Sequence, residues 1–352
     1  MEKGFSLEAL QTKLQNTKIL VIGDCILDRY FIGEVNRISP EAPVPVFELT
    51  DIYYSLGGAA NVSGNLRGLK VEVELIGVLG EDTHADTLIS LAKENKIGVK
   101  GLIKDKERPT ILKTRVIAQS QHLLRIDVEK RFPLSQEIKI KIQEIFENLL
   151  NEAKGVIISD YAKGVFLSES FCSWLIQEAK RKGKLVFVDP KSNVWKKYEG
   201  ATTITPNLKE FKSVLEIEKI GNKTFKDACK ILVEKYQLDF LIVTLGKEGI
   251  YAYHPELGEI KFPAKAKEVY DVSGAGDTVI ATFSAFYTSG FSLKESLYLA
   301  NIAAGIVVGK IGTKPIYLEE IVNFLKEEGG ELWEGLSMRK QEKSLIQEAI
   351  PL

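Results

Sequence analysis

Short apolar runs, each closed by turn residues, recur along this 352-residue chain: ILVIG at 19–23, GVIIS at 155–159, LVFV at 185–188 and FLIVTL at 240–245. Runs of this length without polar alternation suit strands buried on both faces, the pattern of a parallel sheet. Between them lie segments of helical period. In 135–150, Ile138, Ile142, Ile145, Phe146, Leu149 and Leu150 form one apolar stripe. Strands alternating with helices predict an α/β fold with a central, mostly parallel sheet flanked by helices. After Asp271, residues 275–289 and 293–310 read as two helices rich in small residues, suited to close packing. At roughly 150 residues per domain, the length fits about two domains or one large α/β domain with an insertion.

Two regions break the alternation. Residues 30–50 and 110–129 hold β-prone stretches (YFIGEV, PVPVFEL, TILKTRVIAQ, HLLRIDVE) with no helix-length segment between neighbours. They predict antiparallel strands in a small appended sheet, serving as a lid over one end of the main sheet or as a homodimer contact. Pro40, Pro43 and Pro45 limit regular pairing there, as at a sheet edge. The expected organisation is one domain over 1–330, with 331–352 as a polar tail or appended helix. Lys plus Arg number 47 against 48 Asp plus Glu, a net charge of −1, which gives no support for a nucleic-acid or membrane-surface role. The first residues lack the continuous apolar segment of a secretory signal. No apolar run approaches the roughly 18 residues needed to cross a bilayer. A cytoplasmic protein is expected. Cys25, Cys172 and Cys229 match neither a disulfide framework nor a zinc site and read as reduced structural residues, and His84, His122 and His254 form no metal-binding pattern.

The strongest local signal is DVSGAGD at 271–277, which leads directly into a predicted helix. Two glycines at a helix start free backbone N–H groups to point at an anion, and the helix dipole favours negative charge in the same place. Asp277 is positioned to accept a proton from an alcohol while those amides stabilise a transferring phosphoryl group. A simple glycine turn with a capping aspartate explains the spacing equally well. A dinucleotide fingerprint does not, because Val279 stands where its third glycine belongs. A second glycine-rich stretch, LGGAAN at 56–61, lets a ligand approach the backbone, and Asn61 offers both a donor and an acceptor to sugar hydroxyls. It also reads as a tight loop and helix cap. Asp24 and Asp28 follow the first strand at its carboxyl end, the edge where open parallel sheets bind ligands. TPNLKE at 205–210 reads first as a helix start, with Asn207 as N-cap and Glu210 completing a capping box. Asp160 with Lys163, and Asp189 with Lys191, end buried strands with an acid near a lysine, fit for magnesium and phosphate or for an ordinary ion pair. Thr244 and Gly246 close another strand. These polar groups converge if the sheet is parallel.

Taken together, GGAAN, TPNLKE, VTLGKEG and DVSGAGD resemble the ribokinase, or PfkB, family of carbohydrate kinases, from about Lys18 to Lys326. The segments GDCILDRYFIGEVNRISPEAPVPVFEL, SLGGAANVSGNL and SDYAKGVF are most similar to the bacterial D-glycero-β-D-manno-heptose 7-phosphate kinases, with RISPEAPVP the most discriminating part. The resemblance implies a ribokinase-like kinase using ATP as co-substrate with Mg2+ and, in some members, a monovalent cation. It implies Asp277 as general base, with Gly274, Ala275 and Gly276 as the amide cradle. Asp271 would organise that loop and a monovalent cation in it. Asn207 and Glu210 would lie near the ATP phosphates and magnesium, and Asp160, from its place beside Lys163 at a strand end, is a further metal candidate. Thr244 and Gly246 would form the nucleotide loop, and Asn301 would border the adenine. Asp28, Gly57, Gly58 and Asn61 match sugar-binding positions, and Lys163 and Lys191 match the heptose-kinase pattern. Many heptose kinases of this type continue into a nucleotidyltransferase domain. This chain ends at Leu352 without an HxGH-type site, so the expectation is a free-standing kinase with adenylyl transfer left to a separate protein. A sugar that already bears a phosphate needs cations away from its reacting hydroxyl, and Arg37, Lys113, Arg115 and Arg125 lie among the lid residues. At least one is expected to contact that phosphate, against the alternative of solvated edge-strand charges. The rival functions are another sugar or nucleoside kinase and a catalytically inactive sugar- or nucleotide-binding regulator.

Overall fold

The computed structural model describes residues 7–327 apart from 120, 192, 222, 267, 268 and 311, so the expected tail at 331–352 lies outside the described residues. Helix α1 (Leu7–Gln15) leads into β1 (Lys18–Gly23), which passes through Asp24 into β2 (Cys25–Ile38) and β3 (Pro45–Gly58). Then come α2 (Ala59–Gly68), β4 (Glu72–Gly80), α3 (Thr83–Glu94), β5 (Gly98–Asp105), β6 (Ile111–Ala118) and β7 (Gln121–Val128). Next are α4 (Gln136–Leu150), β8 (Gly155–Ser159), α5 (Glu169–Arg181), β9 (Leu185–Asp189), β10 (Thr203–Ile204), α6 (Leu208–Ile217) and α7 (Phe225–Lys235). The remainder holds β11 (Leu241–Thr244), β12 (Ile250–His254), β13 (Gly258–Phe262), α8 (Ala275–Thr288), α9 (Leu293–Val307) and α10 (Leu318–Glu327).

The main sheet is parallel, six strands in the order β10-β9-β8-β1-β4-β5. Its central strand is apolar on both sides because each side meets a helical layer. Ile19 and Val21 join the layer of Ile280 and Phe283 from α8, whereas Leu20 and Ile22 join that of Ile142 and Phe146 from α4. Strand order reverses between β1 and β8, and in open α/β sheets the crevice outside the carboxyl ends at such a switch receives ligands. No helix among the described residues is long and apolar enough to cross a membrane. The three cysteines are free and buried.

Two elements differ from the sequence expectation. The first three residues of β11 are apolar and buried, but its ladder with β12 is antiparallel, and beside the main sheet it forms a parallel bridge between Asn207 and Thr244 in place of a ladder. The cause is the short turn carrying Gly246 (φ +61°) and Gly249 (φ +99°), which reverses the chain with no crossover helix. The lid, ordered β3-β2-β6-β7, is antiparallel only in its outer pairs, and β2 and β6 run parallel. Both follow strands of the parallel sheet, β1 and β5, and so leave it in the same direction. The lid also reaches further inward than 30–50, from Cys25 to Gly58, which brings Asp28 and the glycine pair to its root.

Candidate active site

Gly274 caps α8 at φ +80°, a left-handed conformation natural to glycine, and a Cβ there would meet the Asn61 amide at 3.0 Å. Gly276 has open space around its missing side chain, on the side of the cleft. In the first turn of α8 the Ala275 N–H, expected in the anion cradle, instead donates to the Val272 carbonyl at 3.3 Å and the Thr278 N–H donates to the Gly274 carbonyl at 2.9 Å, so the N–H groups of Gly276 and Asp277, without a partner among the described residues, make the cradle. Asp277 lies in this first turn, 4 % exposed. Its Oδ1 accepts the Tyr161 hydroxyl at 2.5 Å and its Oδ2 accepts Asn61 Nδ2 at 2.6 Å. Burial pushes its carboxyl up to about 6, aided by the nearby charge of Asp28 and opposed by those two hydrogen bonds and Lys113. A carboxyl ionising just below neutrality suits a general base.

Two cavities meet beside this acid, with Asn207, Thr244 and Gly276 lining both. The larger, about 280 Å3, is an apolar slot between the Gly246 turn and α9, with Val272, Ala304 and Val308 on its walls. Its shape and lining suit a flat heteroaromatic base. Asn301 stands at its edge, donating to the Pro263 carbonyl at 2.7 Å. The smaller cavity, about 150 Å3, is polar and holds Asp189, Lys191 and Glu210 beside Asp277. The capping box of α6 is present: Asn207 Oδ1 accepts the Glu210 N–H at 3.0 Å, and Glu210 accepts the Asn207 N–H at 3.0 Å. The same two residues line the polar cavity, so cap and site are one structure. Lys191 donates to Glu210 at 2.8 Å, which sets it on the phosphate side rather than with the sugar-binding residues. Asp189 forms no hydrogen bond or ion pair through its side chain with another described residue. Burial, then the charges of Asp277 and Glu210, push its carboxyl well above the usual carboxylate range. Among the described residues no group of three His, Cys, Asp or Glu side chains could hold a metal ion. The unpartnered Asp189 beside Glu210 instead fits magnesium arriving with nucleotide phosphates and keeping most of its water.

On the lid side, Asp28 pairs with Arg115 at 2.6 Å, and a Cβ on Gly57 would approach Asp28 Oδ2 to 2.5 Å and push that carboxylate aside. Gly58 takes φ +57° where β3 turns into α2. Lys113 stands in register with Asp28, its ammonium 5.5 Å from the centre of the Tyr161 ring. It forms no ion pair with another described residue. Burial, together with the like charges of Lys163, Arg115 and Arg125, holds it below the usual lysine range against the pull of Asp28. Lys163 pairs with Glu129. Asp271 accepts the N–H groups of Ser273 at 2.8 Å and Gly312 at 3.2 Å, tying the loop before α8 to the 312–313 segment.

Several sequence candidates are spent elsewhere. Asp160 is not available to a metal: its Oδ1 accepts the Ala162 N–H at 2.7 Å, and its Oδ2 takes Lys197 at 2.6 Å and Tyr198 at 2.5 Å in the interior. Asp24 likewise serves the fold, accepting the N–H groups of Tyr161, Lys163 and Val165. Arg37 is 62 % exposed by side chain and paired with Glu48, and Arg125 is paired with Asp127 on its own strand. Sequence reasoning passed over Tyr161 and Thr313. Tyr161 stood inside the SDYAKG segment, where only its place just past a strand's carboxyl end signalled it. Thr313, which hydrogen-bonds Tyr30 at 3.2 Å, had no local signal.

An anion cradle at a helix start, a buried acid with a raised pKa, an apolar slot for a base and a sheet-derived lid define a nucleotide-dependent sugar kinase of the ribokinase-like class. The chain belongs to the pfkB family of carbohydrate kinases, whose model matches residues 16–320. It is 44% identical over 311 residues to the Bifunctional protein HldE of Helicobacter pylori, covering 88% of this chain and 66% of that protein. It is likewise 44% identical over 311 residues to the Bifunctional protein HldE of Methylobacillus flagellatus, covering 88% of this chain and 63% of that one. The chain thus spans less than two thirds of the length of these relatives. Arabidopsis thaliana ribokinase complexed with ribose and ATP superposes with a TM-score of 0.67 at 19% identity, over 88% of this chain and 99% of that one. Escherichia coli phosphofructokinase-2 in complex with potassium gives 0.71 at 17% identity, over the same shares. These two structures establish the shared fold.

Proposed function

We propose that this kinase transfers the γ-phosphoryl of ATP to the anomeric O1 hydroxyl of D-glycero-D-manno-heptose 7-phosphate, giving the 1,7-bisphosphate on the route to ADP-heptose for lipopolysaccharide or another surface glycan. The observation that carries this reading is the set of cations on the lid side of Asp277. Lys113, half-buried beside Arg115 and Lys163, forms no ion pair with another described residue, since the nearby Asp28 is paired with Arg115. A cation held among like charges in a low-dielectric site gains most from an anion that comes with the substrate. A sugar that already carries a phosphate supplies one.

In the reaction, Asp277 takes the O1 proton as the new O–P bond forms, the bond from the γ-phosphorus to the bridging oxygen breaks, and ADP leaves. The α8 amides stabilise the charge on the transferring group. Magnesium, bound with the nucleotide, would neutralise phosphate charge, with Asp189 and Glu210 its nearest holders through water. Asp271, joined to Ser273 and Gly312, is our candidate for organising a monovalent cation beside that loop. Closing the lid removes water that would compete as acceptor. The outer lid face, where Ile52, Leu124, Ile126 and Val128 are exposed, is the contact we assign to a second copy.

A coupled ADP-release assay across a sugar panel tests the substrate: heptose 7-phosphate should be preferred, and preference for an unphosphorylated sugar or a nucleoside rejects the reading. Within it, Lys113→Met should lower kcat/KM for heptose 7-phosphate about ten- to a hundredfold, the worth of a hydrogen bond to a charged group, and leave the KM for ATP unchanged. Equal losses with phosphorylated and unphosphorylated sugars would remove Lys113 from phosphate recognition.

A further inference from the structure

Residues 160–166 form a loop held by two buried acids. Asp24 accepts the backbone N–H groups of Tyr161 at 3.1 Å, Lys163 at 3.0 Å and Val165 at 3.1 Å. Asp160 accepts that of Ala162, and its partner Lys197 also donates to the Phe166 carbonyl at 3.0 Å. Ala162 itself takes φ +54°, a left-handed conformation unfavourable for a residue with a side chain. Two buried carboxylates and a strained alanine are a costly way to hold a loop, and such strain clusters where geometry matters for function. The group this loop delivers to Asp277 is the Tyr161 hydroxyl, at 2.5 Å.

Asn61, from α2, holds the other Asp277 oxygen at 2.6 Å, so two donors on two separate elements fix the plane of one carboxylate. Each carboxylate oxygen retains a second acceptor direction. We propose that Tyr161 is a positioning residue for phosphoryl transfer: its hydroxyl locks the rotation of the Asp277 carboxylate so that a free lone pair faces the acceptor hydroxyl. This rests on the reading of Asp277 as the general base. Six groups face that carboxylate: Tyr161 from the loop after β8, Asn61 from α2, Asp28 from β2, Lys113 from β6, Asp189 from the end of β9 and Lys191 just beyond it. Tyr161, Asn61 and Lys113 favour its ionised form, and burial and Asp28 oppose it. Removing the Tyr161 hydroxyl, one of these three favourable groups, therefore moves the acid limb of activity upward in pH.

Tyr161→Phe keeps the ring beneath Lys113 and deletes only the hydroxyl. The expected result is a kcat about ten- to a hundredfold lower, KM values for ATP and sugar within about twofold of wild type, and an acid limb displaced to higher pH. The thermal midpoint should stay near that of wild type, since packing is retained. An unchanged kcat and pH profile overturns the proposal. So does a raised sugar KM with kcat preserved, which would make Tyr161 a substrate contact instead. Asp277→Asn, assayed in parallel on the same sugars, separates the two levels. If that variant keeps full turnover, the base reading fails and this proposal with it. If it is inactive while Tyr161→Phe is indistinguishable from wild type, only the role of Tyr161 falls.

Discussion

Asp277→Asn should lower turnover by about 10² to 10⁴, the usual contribution of a positioned general base, while leaving ATP binding and the thermal midpoint close to wild type. The substitution keeps size and shape. Asn61 can still donate to the remaining side-chain oxygen, and the Tyr161 hydroxyl can turn to accept from the new amide. Nor does the fold lose support. The Asp277 carboxyl is raised to about 6 in the folded state from its ordinary value of 3.8, so the native state binds this proton more tightly than the unfolded chain does. Ionisation of this group therefore costs stability as pH rises from 3.8 to about 6, the cost staying constant above that, and an uncharged amide removes it. For wild type, the same value sets the activity profile: kcat/KM should fall as pH drops through about 6 and the base becomes protonated. A steady-state assay between pH 5 and 8, with calorimetry of both proteins, checks all three expectations. Near-wild-type turnover in the variant would remove Asp277 from the mechanism.

The largest stability effect is expected away from the reacting atoms, at Lys197. Its ammonium is 4 % exposed and meets a fully buried Asp160 carboxylate at 2.6 Å. Lys197→Met retains most of the stem's volume and leaves Asp160 buried without its counter-charge, its remaining partners among the described residues being the Tyr198 hydroxyl and the Ala162 amide. Stripping one partner from a buried pair typically costs about 3–5 kcal/mol, whereas replacing both charges can be almost neutral. The double variant Asp160→Asn, Lys197→Met should therefore recover most of the loss. Urea unfolding of the single and double variants measures this directly. A single variant within about 0.5 kcal/mol of wild type, the range of ordinary surface changes, would show that the pair does not hold this region. Because Lys197 also anchors the Phe166 carbonyl, the single variant should loosen the loop that carries Tyr161.

Much of the architecture was legible residue by residue. ILVIG and GVIIS carry no polar alternation because both faces of β1 and β8 are covered, and the stripe from Ile138 to Leu150 matches α4 almost to the residue. Asn207 with Glu210 forms the capping box its spacing promised. Gly274 adopts the positive φ that a glycine at such a helix start allows. These features depend on the periods and conformational limits of the backbone, which a few neighbouring residues define. The convergence of the polar loops at the strand carboxyl ends also followed, because a parallel sheet brings those ends to one edge.

Partnership was decided only in three dimensions. Asp24 and Asp28 stand four residues apart in one segment, yet one is consumed by three amides of the 160–166 loop and the other by Arg115 at the root of the lid. Asp160 looked like a metal ligand beside Lys163, but Lys163 turned to Glu129, and Asp160 found Lys197 further along the chain. Lid strands alternate their side chains, so which cations face the site depended on the pairing of β6 with β2, which sets Lys113 opposite Asp28 and Arg115 opposite Tyr30. Local sequence determined the helices, the parallel sheet and the acid at the glycine-rich helix start, since backbone geometry and side-chain size act over a few residues. Tertiary structure alone decided which acid is a base and which is a brace, because a charge takes its role from the burial and counter-charges that distant segments bring to it.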